Sequence, residues 1–212
     1  MGEIPDIPWP EKGDAPFKEG AFGSAQANLD WLISPFLSFD DLRIAEAFKE
    51  AADKVVDNLE SGSRFEHPDK FFFPVAYLYR HSFELSLKCI VKYGIDFGII
   101  EKNDGLEMCR GREAHNLHKL WNKARGIVEE VWPNGDKETL TNAERVILQF
   151  HAIDNSGQAF RYTKDVEGNP HLENAPKLID LVNLKKVSNN LFSFLDSCIG
   201  GLSNLEDCRG NY

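Results

Sequence analysis

Residues 71–94 have the sequence FFFPVAYLYRHSFELSLKCIVKYG, and this stretch carries the longest helical pattern in the chain. Apolar residues recur in it at spacings of three and four, which is typical of an α-helix with a buried face. They are Phe72, Val75, Ala76, Tyr79, Phe83, Leu87 and Ile90. A second apolar row widens that face and contains Phe71, Val75, Leu78 and Leu85. We therefore expect a central helix that contacts neighbours on more than one side.

Charged side chains also follow one another at a spacing of four along this stretch, at Arg80, Glu84, Lys88 and Lys92. Side chains at positions i and i+4 meet on a helix surface, so Glu84 can pair with both Arg80 and Lys88. We predict that Arg80, Glu84 and Lys88 form a buried, fully paired network that fixes the register of this helix. Glu84, Lys88 and Asp154 are the residues that we assign to a structural polar network. The alternative is that Arg80 and His81 line a cleft and bind RNA or phosphate.

Turn-forming residues and composition divide the chain into an extended N-terminal arm over residues 1–23, a helical domain over 24–205 and a short tail over 206–212. Residues 95–114 are expected to be irregular, with a turn at 103–105. The loop at 160–170 is expected to be ordered, because residues 167–170 have turn-forming chemistry. Within the domain, amphipathic patterns predict helices at 25–37, 40–59, 71–94, 115–132, 143–154 and 176–203.

The fold class follows from these helices and the short connections between them. We predict an all-α protein, an antiparallel helical bundle of five or six helices with an irregular N-terminal arm and one ordered polar loop. The chain has 212 residues, which suits one large domain. Its formal net charge is −10, which argues against a protein that passively coats duplex nucleic acid but leaves room for a local basic cleft.

The four cysteines are Cys89, Cys109, Cys198 and Cys208, and no two of them have the spacing of a CxxC pair. We expect free thiols in a reducing compartment. The sequence contains no apolar run of about 18 residues, and it starts with an acidic, proline-rich stretch rather than a signal peptide. These features predict a soluble, cytoplasmic protein without a membrane segment.

Three pieces of the chain together resemble a branch of the HEPN superfamily (higher eukaryotes and prokaryotes nucleotide-binding). They are YLYRHSFELSLKCIVKYG at 77–94, HNLHKLW at 115–121 and HAIDNSGQAFRYTKDVEGNP at 151–170. The resemblance implies a cytoplasmic helical bundle, often a homodimer, that binds RNA and in many cases cleaves it without a metal or cofactor. It also implies a stress, toxin–antitoxin or phage-defence context, with an antitoxin or another defence-system protein as partner.

The resembling family carries a catalytic Arg that is followed by a His four to six residues later. Three pairs here have this spacing: Arg110 with His115, Arg112 with His118, and Arg145 with His151. Val146 follows Arg145 where the family has Asn, Asp or His, and Gly111 follows Arg110. These departures keep two functions open, a metal-independent endoribonuclease and a catalytically inactive module that binds a protein partner or a nucleotide.

Histidine supplies a base near neutral pH and arginine a cation for the developing phosphate charge. The candidate catalytic residues are Arg145, His151, His115 and His118. The candidate RNA- or phosphate-binding residues are Arg80, His81, Arg110, Arg112, Arg161 and Tyr162. The sequence has no HExxH or similar ligand set, so no metal is expected.

Three of these candidates have a structural alternative. His115 and His118 lie at i and i+3 of a helix start, where they either bind phosphate or act as a capping and a solvent-facing residue. Arg161 lies between two aromatic residues, so it either stacks on a base or pairs with Asp154 or Asp165 while the aromatic rings fill the end of the bundle.

Overall fold

The computed structural model describes residues 40–61, 67–110, 113–165, 167–173 and 175–210, all of them in a single compact unit. Within these ranges the chain forms six α-helices and no β-strand. They are α1 (Asp40–Glu60), α2 (Phe72–Asp96), α3 (Lys102–Arg110), α4 (Leu117–Val131), α5 (Lys137–Ile153) and α6 (Leu181–Gly210). The prediction of an all-α bundle of five or six helices is therefore confirmed. The predicted arm at 1–23 and the helix predicted at 25–37 lie outside the described residues.

Helix α2 is the centre of the bundle and packs against α1, α3, α4 and α6. Its apolar residues at spacings of three and four are fully buried, among them Tyr79, Phe83, Leu87 and Ile90. Pro74 lies in the first turn of α2, where the missing N–H removes no intrahelical hydrogen bond. Because α2 is covered on several sides, two of its charged residues, Arg80 and Glu84, are buried along with the apolar ones.

Consecutive long helices run antiparallel. The hydroxyl of Tyr79, near the start of α2, donates to Asp53 in the second half of α1 at 2.6 Å, whereas Lys92, near the end of α2, pairs with Asp41 at the start of α1. Helices α4 and α5 show the same arrangement, because Arg125 of α4 pairs with Glu144 of α5 at 2.7 Å while His118 of α4 lies beside His151 of α5.

Helix α3 returns the chain to the beginning of α2, so that α4 runs parallel to α2. The sequence prediction was wrong here, because residues 95–114 were expected to be irregular. Gly105 was expected in a turn, but it lies inside α3, where a Cβ atom would come within 2.5 Å of Cδ1 of Ile95. The glycine therefore permits close packing of α3 on the end of α2, and this tertiary contact outweighs its turn propensity.

Two helix starts also differ from the sequence prediction. Helix α5 begins at Lys137 because the carboxylate of Asp136 accepts hydrogen bonds from the N–H of Glu138 at 2.9 Å and the hydroxyl of Thr139 at 2.6 Å. Helix α6 begins at Leu181 because Asp180 accepts from the N–H groups of residues 182 and 183 at 2.9 and 3.0 Å. An acidic side chain at the N-cap satisfies helix N–H groups that otherwise have no partner.

Helix α6 also continues beyond Ser203 through residues that were predicted as a tail. Leu202 is fully buried, and the guanidinium of Arg209 lies 4.8 Å from the ring centroid of Phe97. Packing of this end against the residues after α2 explains why the helix extends to Gly210. None of the described helices combines the length and the apolarity that a membrane-spanning segment requires.

Candidate functional site

A buried charged network lies where α2, the start of α4 and the end of α5 meet. Arg80, Glu84 and Asp154 are each 1 % exposed. Nη1 of Arg80 donates to Oε2 of Glu84 at 2.9 Å, and Nε of Arg80 lies 3.0 Å from Oδ2 of Asp154. Nη2 of Arg80 donates to the backbone carbonyl of His115 at 2.5 Å. The guanidinium thus connects three segments that are distant in sequence, and its charge is balanced by two carboxylates.

The carboxylate of Glu84 binds three partners. Besides Arg80, Nζ of Lys88 donates to Oε1 at 2.8 Å and Nδ1 of His115 lies 2.9 Å from the same oxygen. Burial by itself raises the pKa of Glu84, but the hydrogen bond from Lys88 and the charges of Lys88 and Arg80 outweigh it, so the pKa of Glu84 is lowered. Glu84 is therefore an ionised acceptor at neutral pH.

His115 lies immediately before the N-cap of α4. The cap is Asn116, whose side chain accepts from the N–H of Lys119 at 3.0 Å, so His115 is not the capping residue. Because Glu84 is the ionised acceptor, Nδ1 of His115 is the donor in this contact, and Nε2 is the ring nitrogen that does not contact Glu84. The His115 side chain is 58 % exposed, so a buried carboxylate orients an imidazole that is open to solvent.

The segment after α5 is folded around Asp154 and Gly157. Oδ1 of Asp154 accepts from the N–H groups of Gln158 and Ala159 at 2.8 and 3.1 Å. Gly157 has a φ of +79°, and a Cβ atom there would lie 3.3 Å from Nη1 of Arg80 and 3.4 Å from Cβ of His115. This backbone therefore lies directly on the charged network. Its dihedral angle favours glycine, and a Cβ atom here would make a tight contact with Arg80.

Arg161 projects from the same loop, and the structure does not pair it with Asp154 or Asp165. Its Nε donates to the carbonyl of Gly157 at 2.8 Å, and its guanidinium lies 5.9 Å from the ring centroid of Tyr77 and 5.7 Å from that of Tyr162. Asp154 is bound to Arg80, and Asp165 accepts from the N–H groups of residues 167 and 169. Arg161 is exposed to solvent.

The two aromatic residues that flank Arg161 differ in position. Phe160 is buried and packs edge-on against Phe72 and Phe150, so it fills the end of the bundle. Tyr162 is 57 % exposed. The prediction of an ordered loop is confirmed, because Lys164 and Pro170 form an antiparallel bridge and Gly168 has a φ of +89° in the turn between them.

His81 belongs to an aromatic group on the adjacent face of α2. Its ring stacks on Tyr77 with a centroid distance of 5.6 Å and an interplanar angle of 7°, and it meets Phe48 of α1 edge-on at 4.7 Å. Burial lowers the pKa of His81, and the charges of Lys88 and Arg80 lower it further. His81 is thus a neutral, packed ring beside the charged network.

A second pair of histidines lies between α4 and α5. The rings of His118 and His151 have a centroid distance of 5.7 Å and an interplanar angle of 48°. Burial lowers the pKa of His151, and the neighbouring His118 and Arg80 add to this effect. Nδ1 of His151 is buried and has no hydrogen-bond partner among the described residues. His151 is therefore held in its neutral form.

Arg145 and His151 have the spacing of the catalytic Arg–His pair, but in the structure they face different helices. Arg145 is exposed and lines a shallow groove with Asn190 and Phe194 of α6, whereas His151, six residues later, faces α4. Six residues turn an α-helix by about 240°, so the two side chains leave the helix in different directions. Arg110 is exposed at the end of α3, and Arg112 lies outside the described residues.

Sequence reasoning missed two contributors to this region, Tyr77 and Gly157. Tyr77 lies four residues before His81 on α2, a spacing that would have indicated the stacked pair. No local sequence signal indicates that the neighbour of Gly157 in space is the side chain of Arg80.

The described residues contain no group of three or more His, Cys, Asp or Glu side chains that could hold a metal ion. The centre of the site is instead the buried network of opposite charges around Arg80. The exposed imidazole of His115, the histidine pair between α4 and α5, and Arg161 with its two tyrosine neighbours surround this network. No protein-family model, no curated protein and no solved structure matches this chain.

Proposed function

We propose that this protein is a HEPN-like RNA-binding protein that cleaves RNA without a metal ion. The observation that carries the proposal is the 2.9 Å contact between Nδ1 of the exposed His115 and Oε1 of the buried, ionised Glu84. A carboxylate that fixes the tautomer of an imidazole and leaves Nε2 open to solvent is an arrangement suited to general acid–base catalysis.

The reaction that fits this arrangement is attack by a ribose 2′-hydroxyl on the adjacent phosphodiester. Nε2 of His115 accepts the proton of the 2′-hydroxyl as the 2′-oxygen forms its bond to phosphorus. The bond from phosphorus to the 5′-oxygen breaks, and the leaving 5′-oxygen takes a proton from a protonated imidazole or from water. The products are a 2′,3′-cyclic phosphate and a 5′-hydroxyl, and no oxidant, reductant or metal is required.

Other groups of the site have supporting roles in this proposal. His151 is the alternative base, because its lowered pKa keeps it neutral and His118 lies beside it. Arg80 is buried and paired with two carboxylates, so its role is to hold the backbone of His115 in place rather than to bind phosphate. Two cations at the surface near this site are Lys119, which is 50 % exposed and pairs with Glu113, and the exposed Arg161.

The overall charge of −10 does not oppose RNA binding at this position, because the field at a cleft depends on the charges nearest to it. We further propose that the chain acts as a homodimer in the cytoplasm, in a stress or defence context, with an antitoxin or another defence-system protein as partner. Its four free cysteines are compatible with a reducing compartment. Light scattering at micromolar concentration tests the dimer, since a monomer would contradict it.

The decisive experiment is RNA cleavage in EDTA by the wild type and by His115→Ala and His151→Ala. General acid–base catalysis contributes about 10²- to 10⁴-fold, so His115→Ala should lose at least about 100-fold in rate. Added imidazole should restore part of this loss, and mass spectrometry should find a 2′,3′-cyclic phosphate. His67→Ala, at an exposed position before α2, is the control for the loss of a histidine.

Two results would contradict parts of this proposal. If only His151→Ala is inactive, the base is His151 and the assignment of His115 is wrong. If the wild type cleaves none of a varied set of RNAs, the protein is not a ribonuclease.

A catalytically inactive interaction module is the second candidate function, and one observation favours it. An apolar groove of about 280 Å³ lies between the ends of α2, α5 and α6, lined by Phe72, Phe150 and Leu184 among others. Leu178 lies at this groove and is 92 % exposed. An apolar side chain of a protein partner fits such a groove. If this second function is correct, Leu178→Asp should abolish partner binding, and the wild type should cleave no RNA.

A further inference from the structure

Four planar groups form a continuous row beside the charged network: the ring of His81, the ring of Tyr77, the guanidinium of Arg161 and the ring of Tyr162. The first two rings are stacked at 5.6 Å, and the guanidinium carbon lies 5.9 and 5.7 Å from the two tyrosine ring centroids. A cation within about 6 Å of an aromatic centroid is attracted to the ring.

The position of Arg161 is fixed from within the loop. Its Nε donates to the carbonyl of Gly157 at 2.8 Å, and Gly157 lies against Arg80. Asp154 holds the next turn of the loop by accepting from the N–H groups of residues 158 and 159. The guanidinium is therefore pre-organised by the buried network, and little side-chain entropy remains to be lost when a ligand binds.

The charge of Arg161 remains available for a ligand. Among the described residues it forms no ion pair, and its two terminal nitrogens have no hydrogen-bond partner. Tyr162 is 57 % exposed and Arg161 is also exposed, so this end of the row is open to water. An arginine that only stabilised the loop would be expected to pair with a nearby carboxylate, but Asp154 and Asp165 are both bound elsewhere.

We propose that Arg161 and Tyr162, backed by Tyr77, form a stacking site for one unpaired nucleobase of single-stranded RNA. This inference rests on the proposed function, because it takes RNA as the ligand. Bases stack on aromatic rings and on guanidinium planes with little dependence on sequence, and the row of planar groups supplies both surfaces. The bases of a duplex are already stacked on one another, so the site selects single strands.

The loop also connects this stacking site to the proposed catalytic group. A Cβ atom at Gly157 would lie 3.4 Å from Cβ of His115, and the carbonyl of Gly157 holds Arg161. A base stacked at Arg161 is thereby bound by the same short segment that contacts His115. The stacking site would hold a nucleotide near the phosphodiester that is cleaved.

Fluorescence anisotropy with labelled 2′-O-methyl RNA tests the site, because such RNA cannot be cleaved through its 2′-oxygen. The probes are a 12-nucleotide A strand and an abasic strand of equal length. The wild type should prefer the A strand, and Arg161→Lys or Tyr162→Ala should weaken binding of the A strand by about tenfold. Binding of the abasic strand should change by less than about twofold.

Arg161→Lys separates stacking from phosphate contact, because it keeps the charge and removes the plane. Its salt dependence of affinity should equal that of the wild type. Arg209→Lys is the matched control, since Arg209 also lies over an aromatic ring, Phe97, but on α6. This control should bind the A strand as the wild type does. The three substituted residues are exposed, so we expect all variants to fold, and thermal unfolding measures this.

The possible outcomes distinguish this inference from the function on which it rests. If the wild type binds the A strand and Arg161→Lys binds it equally well, Arg161 contacts phosphate at most and the stacking site is wrong, whereas RNA binding stands. If the wild type shows no preference for the A strand over the abasic strand, the stacking site is also wrong. If the wild type binds neither strand, RNA binding and the stacking site both fail.

Discussion

Gly157 lies directly against the guanidinium of Arg80, since a Cβ atom at position 157 would be 3.3 Å from Nη1 of Arg80. The guanidinium cannot easily move away, because Glu84, Asp154 and the carbonyl of His115 hold it from three directions. The loop that carries Arg161 and the network under α2 are therefore one structural unit.

Gly157→Ala should destabilise the protein more than Gly168→Ala does. Both residues have a positive φ, +79° and +89°, so each substitution introduces backbone strain of about 1–2 kcal/mol. Gly168 has open space where its Cβ would lie, whereas Gly157 meets Arg80. Urea unfolding measures both changes, and the difference between them isolates the contact with Arg80. Equal losses would mean that the loop can move away from the network.

Glu84→Gln should cost about 3–5 kcal/mol of unfolding free energy. The substitution leaves Arg80 and Lys88 without the carboxylate that binds both of them, and removal of one partner from a buried ion pair leaves an uncompensated charge. Chemical denaturation measures the loss.

Glu50→Gln is the matched control for Glu84→Gln, because Glu50 pairs with Lys54 at the same i, i+4 spacing. Its side chain is 53 % exposed and that of Lys54 is 79 % exposed. An exposed pair of this kind is worth less than about 1 kcal/mol. A Glu84→Gln variant as stable as the control would show that the network does not fix the bundle.

The sequence predicted those features of the structure that depend on residues close together in the chain. The periodicity of residues 71–94 predicted α2, because a helix that is buried on several sides carries apolar residues at spacings of three and four. The spacing of Arg80, Glu84 and Lys88 predicted contacts that the structure contains, since i, i+4 neighbours meet on any helix.

The errors came from contacts between distant segments. Gly105 has a turn-forming neighbourhood, and only its packing on Ile95 explains why it lies in a helix. At the site, the Arg–His spacing paired Arg145 with His151. The arginine whose charge lowers the pKa of His151 is instead Arg80, which lies on another helix. A spacing rule along the chain cannot identify a pair that forms between helices.

Substitution of two glycines by alanine should change stability in opposite directions. A Cβ atom at Gly94, near the end of α2, would lie 2.7 Å from Cγ1 of Ile127, so Gly94→Ala should destabilise the protein by about 1–3 kcal/mol. Gly126 lies exposed within α4 with open space at its Cβ position, so Gly126→Ala should stabilise it by about 0.5–1 kcal/mol. Thermal unfolding of both variants measures the signs, and a stabilising Gly94→Ala would contradict the parallel packing of α4 on α2.

The unfolding free energy should fall as the pH is lowered below the ordinary histidine pKa of 6.5. Burial lowers the pKa of both His81 and His151 in the folded state, so between 6.5 and those lowered values the unfolded chain binds more protons. Their contribution to stability is fully present above pH 6.5 and is lost as the pH falls through the folded values. Glu84, whose pKa is lowered, stays ionised above pH 5 and does not contribute in this range.

Urea unfolding at pH 7.5, 6.5 and 5.5 measures this dependence. His151→Gln should make the fall in the urea midpoint between pH 6.5 and 5.5 smaller, because the variant has no imidazole to protonate at that position. His81→Gln should do the same, and the effects should add, since His81 stacks on Tyr77 while His151 lies beside His118. His67→Gln, at an exposed position, controls for the loss of a histidine. A midpoint that falls equally in the wild type and the double variant would mean that neither imidazole is held neutral by the fold.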